Sequence, residues 1–303
     1  MSSYHHIAKR LTAPLFLLLL TGCVESQKTD PSAYLPESAN VQTFSMADHR
    51  ELRDFFEKNN YHWDTLDQGV PPFILKTIPE NLDGIENIRE KKRLFFLSIL
   101  PMVLIINEEI SQERELLLDI YQAMDAKEPL SEEQKNFLWA LARKYKVKGD
   151  LLTNHKARDN LRMRVDILPP SLVLAQAATE SGYGTSRFAQ MGNNLFGEWT
   201  FTPGTGLIPK DRPDGATYEV RRFDSIFDSL QSYMININTH WAYRNLRERR
   251  AQLREAGTSP KGVDLATGLE RYSERGDAYI EDIKTMIRLN RLSRFSTATL
   301  RKS

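Results

Sequence analysis

Glu180 interrupts an apolar, alanine-rich helical pattern in the segment LVLAQAATESGYGTS (172–186). Helical spacing places Glu180 on the same face as Val173 and Ala177, at the end of an apolar stripe. Partial desolvation and the negative end of the helix dipole would both raise its pKa. A carboxyl that keeps its proton near neutral pH can serve as a general acid. From the helix alone, a Glu180 that turns into solvent or pairs with Arg187 is an equal alternative.

Helices and a short pair of strands are predicted to position Glu180. Its helix begins at Pro169 and Pro170, because proline fits the first turn of a helix. Residues 194–201 and 217–223 have the pattern of two short strands joined by a long loop rich in glycine and proline. Helical periodicity returns in the remainder of the chain.

Residues 46–150 are predicted to form an α-helical region ahead of that domain, because apolar residues recur there at helical spacing. Its apolar run LFFLSILPMVLII (94–106) is too short to span a bilayer, is interrupted by Pro101 and is flanked by charges. We therefore predict that this run is a buried core helix.

Charge and motif content exclude several classes of function. The chain has 41 Lys and Arg against 40 Asp and Glu, a formal net charge of +1, which gives no general field for nucleic acid. Its 6 histidines are scattered and no HExxH or CxxC pattern occurs, so no metal site is predicted. The sequence has no phosphate-binding loop and no dinucleotide fingerprint, so no cofactor is expected.

The N-terminus resembles a bacterial lipoprotein signal. Lys9 and Arg10 precede the apolar run LTAPLFLLLL, which ends in LTGC. A helix that spans a bilayer needs about 20 residues, so this shorter run suits a signal peptide over residues 1–22. The alternative is a cytosolic protein with an apolar N-terminal helix and a buried cysteine.

Lipidation would account for Cys23, the single cysteine of the chain, and leaves no disulfide framework. Lipid chains on Cys23 would hold the protein stably on a membrane. Val24 rather than Asp at the next position favours the outer membrane, by the habit of such lipoproteins, with the protein facing the periplasm. The polar residues that follow predict a flexible tether over residues 23–45.

Four ordered motifs lie within residues 168–292: LVLAQAATESGYGTS, GNNLFG, VRRFDSIFDSLQSYM and ERYSERGDAYIEDIKTMI. Together they resemble the lysozyme-like superfamily and, within it, the bacterial glucosaminidase family that includes flagellar peptidoglycan hydrolases and Bax-type proteins. The loop GLIPKDRPDGATYEVRRFDS is most similar to the Bax type. The resemblance implies a mainly α fold, with a lysozyme-like helical domain and a small β-hairpin over residues 151–300, preceded by the helical N-terminal region.

The resemblance also implies a peptidoglycan hydrolase. Glu180 is then the general acid of a β-N-acetylglucosaminidase that cleaves the GlcNAc-β-1,4-MurNAc bond, and Tyr272 lies near the reacting sugar or, alternatively, is a core aromatic. Asp228 matches a supporting residue for substrate binding, although its Asp-Ser context also fits a helix start. A muramidase or lytic transglycosylase of the same superfamily, or a wall-binding module without turnover, is the alternative.

Related hydrolases often carry a second acid on the hairpin, and this hairpin offers Glu198, Asp211, Asp214 and Glu219. We assign Glu219 as the catalytic candidate, although the alternation in TYEVRRF also fits a solvated strand residue that pairs with its neighbours. A substrate with a 2-acetamido group can supply its own nucleophile, in which case Glu180 alone is sufficient.

Aromatic residues that follow the helix of Glu180 could stack on sugar faces in a groove. The candidates are Tyr183, Phe196, Trp199 and Phe201, although some of them must instead fill the core. Asn194 of the GNNLFG motif is assigned to substrate binding with Tyr183, Phe196 and Trp199. The partners implied by the resemblance and by the N-terminus are peptidoglycan glycan strands and, through the lipid on Cys23, a membrane.

Overall fold

The computed structural model describes residues 30–34 and 41–301. The predicted signal peptide over residues 1–22 and the lipidation candidate Cys23 lie outside these residues. The described residues form ten α-helices: α1 His49–Lys58, α2 Ile88–Asp125, α3 Glu132–Lys144, α4 His155–Arg164, α5 Pro170–Ser181, α6 Arg187–Gly192, α7 Ile226–Thr239, α8 Arg244–Glu255, α9 Gly262–Leu265 and α10 Asp277–Leu289. Their strands are short: β1 Gln42–Phe44, β2 Phe73–Leu75, β3 Trp199–Thr200, β4 Gly206–Leu207 and β5 Glu219–Arg221. The fold is mainly α with small β elements, as the resemblance implied.

Helix α2 runs through the core of the fold. Asn87 caps its N-terminus by accepting two backbone hydrogen bonds from the first turn, and the helix continues through Pro101. Every residue from Leu94 to Asn107 is buried. By length and composition α2 is long and apolar enough to cross a membrane, but 83% of its most apolar stretch is buried inside the fold. The prediction of a core helix over residues 94–106 is confirmed.

Residues on both sides of position 150 share one hydrophobic core. Phe95 and Ile99 of α2 belong to the same buried cluster as Leu172 of α5 and Ile283 of α10. Helix α2 packs directly against α5. A second, smaller cluster joins the end of α2 to α3 and α4. The helical region before residue 150 therefore packs against the helix that carries Glu180.

The last described residues bind the beginning of the fold. Val70 and Leu300 form a parallel bridge. The Arg301 guanidinium donates hydrogen bonds to three carbonyl groups within residues 59–69, at 2.7 to 3.0 Å. These contacts connect the C-terminal end of the described chain to the N-terminal helical region.

Two parts of the tether predicted over residues 23–45 have defined structure. Gln42–Phe44 forms β1, which pairs in parallel with β2. Pro31–Tyr34 forms a 3₁₀ turn, and the Tyr34 ring meets Phe137 of α3 edge-on with centroids 5.9 Å apart. The polar composition of this segment predicts a tether, but its isolated aromatic residues pack against apolar partners elsewhere in the chain. Tyr34 contacts Phe137, and Phe44 contacts Phe55.

The sheet that follows α6 has three strands, in the order β3-β5-β4, with both neighbours antiparallel to β5. The sequence predicts β3 and β5 but not β4, because the pair Gly206–Leu207 is too short to show an alternating pattern. A Cβ atom on Gly206 would lie 2.5 Å from the Val220 carbonyl oxygen. Only glycine therefore allows β4 to approach β5 this closely.

Candidate active site

Glu180 is half-buried in the last turn of α5. Pro170 begins this helix and Gly182 ends it in a left-handed conformation, as the sequence predicts. Gly182, Tyr183 and Gly184 all have positive φ angles, of 58°, 58° and 79°. For Tyr183, a non-glycine residue, such a conformation costs about 1–3 kcal/mol. The chain thus turns away directly after Glu180, and no further helical turn covers the carboxyl.

A chain of hydrogen bonds from three helices holds the Glu180 carboxylate. The Tyr279 hydroxyl of α10 donates to Glu180 Oε1 over 2.7 Å. The Gln176 amide of α5 donates to that hydroxyl over 2.9 Å, and the Gln176 carbonyl accepts from Tyr233 of α7 over 2.5 Å. Because the Tyr279 oxygen already accepts from Gln176, its own hydrogen points toward Glu180. All three supporting side chains are buried, so this orientation is fixed by packing.

Burial raises the pKa of the Glu180 carboxyl above its ordinary value, and the hydrogen bond from Tyr279 opposes part of that rise. Within the described residues, Glu180 forms no ion pair. The alternative that pairs it with Arg187 is not formed, because Arg187 donates to the Ile208 carbonyl oxygen instead. Glu180 is therefore suited to hold a proton and then release it.

Three tyrosine rings follow one another beside Glu180. Tyr272 stacks on Tyr279 with centroids 5.2 Å apart and planes at 11°, and Tyr243 lies 6.0 Å from Tyr272. Tyr272, the tyrosine selected from the sequence, therefore stacks on Tyr279, and it is Tyr279 that contacts Glu180 directly. Sequence reasoning missed Tyr279 although it lies in the same motif, since no local spacing shows which tyrosine α10 brings to α5.

A second carboxylate, Glu198, lies just before β3. Its Oε2 accepts a hydrogen bond from the Ser232 hydroxyl over 2.8 Å and lies 3.8 Å from Arg221 Nη1. Its Oε1 is buried and has no hydrogen-bond partner in the described part of the chain. Burial raises the pKa of Glu198, while the Ser232 hydrogen bond and the charges of Arg221 and Lys146 lower it. One oxygen of Glu198 is thus fixed by a hydrogen bond, and the other is buried with no partner among the described residues.

The charges of Glu180 and Glu198 both affect the pKa of the Tyr243 phenol. Burial raises the pKa of Tyr243 to about 12, and the negative charges of Glu198 and Glu180 add to the rise. Both carboxyls therefore lie within electrostatic reach of Tyr243. Their surroundings differ, because cations favour ionisation of Glu198, whereas among the described residues it is the Tyr279 hydrogen bond alone that favours ionisation of Glu180. Such a difference separates a pair into one carboxyl that keeps its proton and one that ionises first.

Glu219, the hairpin acid assigned from the sequence, serves the hairpin itself. Its side chain is buried, and its two oxygens accept backbone hydrogen bonds from Gly204 over 3.0 Å and Gly206 over 2.8 Å. These bonds lower the pKa of Glu219. Both oxygens of Glu219 are used inside the sheet, so its catalytic assignment stays a prediction that these contacts do not favour. Glu198 is the hairpin carboxylate that keeps one oxygen without a partner among the described residues.

Asn194 and Phe196, assigned to substrate binding from the sequence, are buried supports of the two carboxylates. Asn194 Oδ1 accepts from the Glu198 backbone over 3.0 Å, and Asn194 Nδ2 donates to the Glu198 carbonyl over 2.9 Å. Phe196 stacks on Tyr233 with centroids 3.8 Å apart. Asn194 thus fixes the backbone of Glu198, and Phe196 supports the hydrogen-bond chain that leads to Glu180.

Tyr183 and Asp228, the other two buried or half-buried candidates, also have structural contacts. Tyr183 meets Phe95 and Phe96 of α2 edge-on, and its hydroxyl lies 3.2 Å from a methionine sulfur of α10. Tyr183 therefore connects the end of α5 to two other helices. Asp228 accepts from the Ser225 hydroxyl over 2.8 Å in the first turn of α7, which is the helix-start role that the sequence left open.

Trp199 presents an aromatic face to solvent. It is 53% exposed and rests edge-on against Tyr218, and Phe201, two residues later, is 77% exposed. Trp241, which sequence reasoning did not single out, is 66% exposed and carries the Arg271 guanidinium 5.1 Å from its ring centroid. An exposed aromatic face can stack against the apolar face of a sugar ring.

The sequence predicts no metal site. In the residues that the structure describes, no three His, Cys, Asp or Glu side chains approach one another as metal ligands would.

Comparisons with known proteins place this arrangement in a family. The family model described as mannosyl-glycoprotein endo-beta-N-acetylglucosaminidase matches residues 156–292. The protein named bax of Escherichia coli strain K12 is 34% identical over 193 residues, which cover 62% of this chain and 66% of that relative. The catalytic domain of the autolysin Auto from Listeria monocytogenes is 20% identical, with a TM-score of 0.33, over 59% of this chain and 96% of that chain. That score is too low to compare the two sites. The family match and the bax identity show that the chain belongs to the glucosaminidase family and is of the Bax type.

Proposed function

We propose that the protein is a peptidoglycan hydrolase, a β-N-acetylglucosaminidase that cleaves the GlcNAc-β-1,4-MurNAc bond of glycan strands. Membership of the glucosaminidase family supports a glycoside hydrolase. The observation that carries the proposal is the half-buried Glu180 at the end of α5, oriented by Tyr279 and raised in pKa by burial. These are the properties of a general acid beside a glycosidic bond.

Glu180 supplies the proton that the leaving group needs. It donates this proton to the glycosidic oxygen while the bond between that oxygen and C1 breaks, and positive charge builds on the sugar ring. The Tyr279 hydroxyl donates to the carboxylate that is left and stabilises its new charge. Tyr272 and Tyr243 follow Tyr279 in the row of rings beside Glu180 and add aromatic surface that carries no formal charge.

Glu198 supplies the base. The Glu198 carboxylate, whose pKa is raised by burial, accepts a proton from water while the water oxygen bonds to C1. One water is consumed, one C–O bond is cleaved, Glu180 ends ionised and Glu198 ends protonated, and proton exchange with solvent restores both. The alternative at this step is attack on C1 by the acetamido oxygen of the substrate itself.

Product analysis tests this function. The purified full-length chain is incubated with purified peptidoglycan, and the released fragments are reduced with borohydride and identified by mass spectrometry. Reduced N-acetylglucosamine ends that are absent with Glu180→Gln, and present with the surface control Glu255→Gln, support the proposal. Reduced or anhydro-muramic ends would assign a muramidase or lytic transglycosylase instead. Unchanged peptidoglycan would indicate a wall-binding protein.

We also propose that Cys23 carries lipid and holds the protein on the periplasmic side of a membrane, most simply the outer membrane. The basic residues, apolar run and LTGC sequence before it support this location. Cys23→Ser is then expected to move the protein from the membrane fraction to the soluble fraction. Retention of the variant in membranes would contradict lipidation at this position.

A further inference from the structure

A cavity of about 630 Å³ lies between α2, α3 and α7. Its polar lining includes Asp30, Glu109, Arg143, Lys144, Asp228 and Gln231, and aliphatic side chains of α2 and α7 form apolar parts of the lining. Helices α2 and α3 belong to the region before residue 150, which the family match does not include. A cavity of this volume is large enough for a small organic ligand.

The cavity borders the candidate active site through two shared side chains. Ser232 and Arg221 both line it. The same two side chains contact Glu198, because Ser232 donates to Glu198 Oε2 over 2.8 Å and Arg221 lies 3.8 Å from that oxygen. A polymer that places a bond beside Glu198 would therefore bring its neighbouring groups close to the cavity.

Two opposite charges in this cavity have no partner within the described chain. Lys144 is bound to Glu113 over 2.6 Å, and Arg221 donates to Ser232 over 3.2 Å. The Arg143 guanidinium and the Glu109 carboxylate, in contrast, form no hydrogen bond or ion pair with the residues described, and they do not pair with each other. Burial raises the pKa of Glu109, and the charge of Lys144 opposes that rise. Arg143 is exposed and Glu109 is half-buried, and a ligand that carries both a carboxylate and an amine can form charge-assisted hydrogen bonds with both groups.

We propose that this cavity binds the peptide stem of peptidoglycan, at a residue that carries both a carboxylate and an amine. Arg143 pairs with the carboxylate, Glu109 pairs with the amine, and Gln231 hydrogen-bonds to the stem backbone. The inference rests on the proposed function, since the stem is attached to the glycan that Glu180 cleaves. Stems are borne by alternate sugars of that glycan, so a stem lies close to every bond of the type proposed for cleavage.

The stem proposal gives the N-terminal helical region a role in substrate choice. Helix α2 supplies Glu109 and α3 supplies Arg143, so the region before residue 150 forms one wall of the peptide site. Substrates that keep their stems are then preferred over glycan without peptide. This preference separates the stem proposal from the glycosidase activity, which needs only the groups around Glu180 and Glu198.

Two substrates test the proposal: glycan strands that carry tetrapeptide stems with diaminopimelate, and the same strands after an amidase has removed every stem. The full-length chain is expected to cleave the first with a kcat/KM about tenfold higher, because one charge-assisted pair at a partly exposed site contributes about that factor. Arg143→Ala and Glu109→Gln are each expected to lower the ratio of the two kcat/KM values about three- to tenfold. The ratio cancels any general loss of activity from misfolding.

Lys135→Ala is the matched control for Arg143→Ala. Lys135 lies on the same helix and pairs only with Glu132 at the surface, outside the cavity. It is expected to keep the wild-type ratio. Equal cleavage of both substrates by the wild type, or an unchanged ratio in Arg143→Ala, would overturn the stem proposal while the hydrolase stands.

A binding measurement tests the stem proposal even if no hydrolysis is observed. In the Glu180→Gln background, calorimetry compares a disaccharide-tetrapeptide muropeptide with the bare disaccharide. Tighter binding of the muropeptide, reduced by Arg143→Ala, supports the peptide site independently of turnover. Equal binding of the two ligands would remove it.

Discussion

The contact between Tyr279 and Glu180 controls the pH at which Glu180 loses its proton. The phenol donates to the carboxylate and so favours the ionised form, which lowers the pKa. Tyr279→Phe removes this bond and raises the pKa of Glu180. Because a general acid must be protonated, the fall of kcat/KM at high pH is expected to move to higher pH, while the maximal rate drops about tenfold.

The pH profile of kcat/KM checks this expectation. Tyr218→Phe is the matched control, since Tyr218 packs against Trp199 in the hairpin and is not part of the hydrogen-bond chain. A profile of Tyr279→Phe that falls at the same pH as the wild type would show that another group governs the alkaline limb.

Substitution by glutamine is expected to affect catalysis at Glu198 and stability at Glu219. Glu198→Gln removes a base and is expected to lower kcat about a hundredfold or more, with little change in Tm. Glu219→Gln replaces one of two oxygens that accept backbone N–H groups by an NH2 group that cannot accept, so it is expected to lower Tm. Kinetics and thermal unfolding of both variants check the pair. Full kcat in Glu198→Gln would favour the substrate's acetamido group as the nucleophile.

At the scale of elements, the position of α5 depends on close packing at its first turn. Gly262 begins α9, and a Cβ atom there would lie 2.9 Å from the Leu172 backbone nitrogen and closer still to the Ser171 hydroxyl. Both neighbours lie at the start of the helix that carries Glu180. Gly262→Ala is therefore expected to shift α5 and to lower the free energy of unfolding by about 1–3 kcal/mol.

Gly84→Ala is the control for this expectation, because its Cβ would meet only the Asn81 carbonyl oxygen at an ordinary 3.4 Å. Chemical denaturation of both variants measures the difference. Equal stability of Gly262→Ala and the wild type would mean that α9 moves away from α5 without cost.

At the scale of the whole molecule, the region before residue 150 and the family-matched region share one core. Removal of residues 46–150 would take away α2, which packs directly against α5, and with it Phe95 and Phe96, which contact Tyr183 at the end of α5. The remaining fragment is expected to lose cooperative unfolding, because it cannot cover the apolar face of the helix that carries Glu180. Calorimetry and circular dichroism check this. A fragment that unfolds cooperatively and still cleaves peptidoglycan would show that α2 is dispensable for the site.

The sequence by itself determined the features that depend on neighbouring residues. Proline at the start and glycine at the end bound α5, the apolar run of α2 marks a core helix, and alternation marks β3 and β5. Glu180 could be selected because it ends an apolar stripe, a property that helical periodicity makes visible. The ordered motifs around it were sufficient to identify the glucosaminidase family.

Only the tertiary structure decided which polar groups meet Glu180 and which serve the fold. Tyr279 reaches Glu180 from 99 residues away, and this contact depends on how α10 packs against α5. Glu198 and Glu219 lie on the same hairpin. In the described part of the chain, Glu198 keeps one oxygen without a partner, whereas both oxygens of Glu219 accept from backbone N–H groups. A carboxylate or amide can satisfy its hydrogen bonds with substrate or with its own backbone, and residue type does not distinguish the two. Burial and partners, which only the packed chain defines, make that distinction.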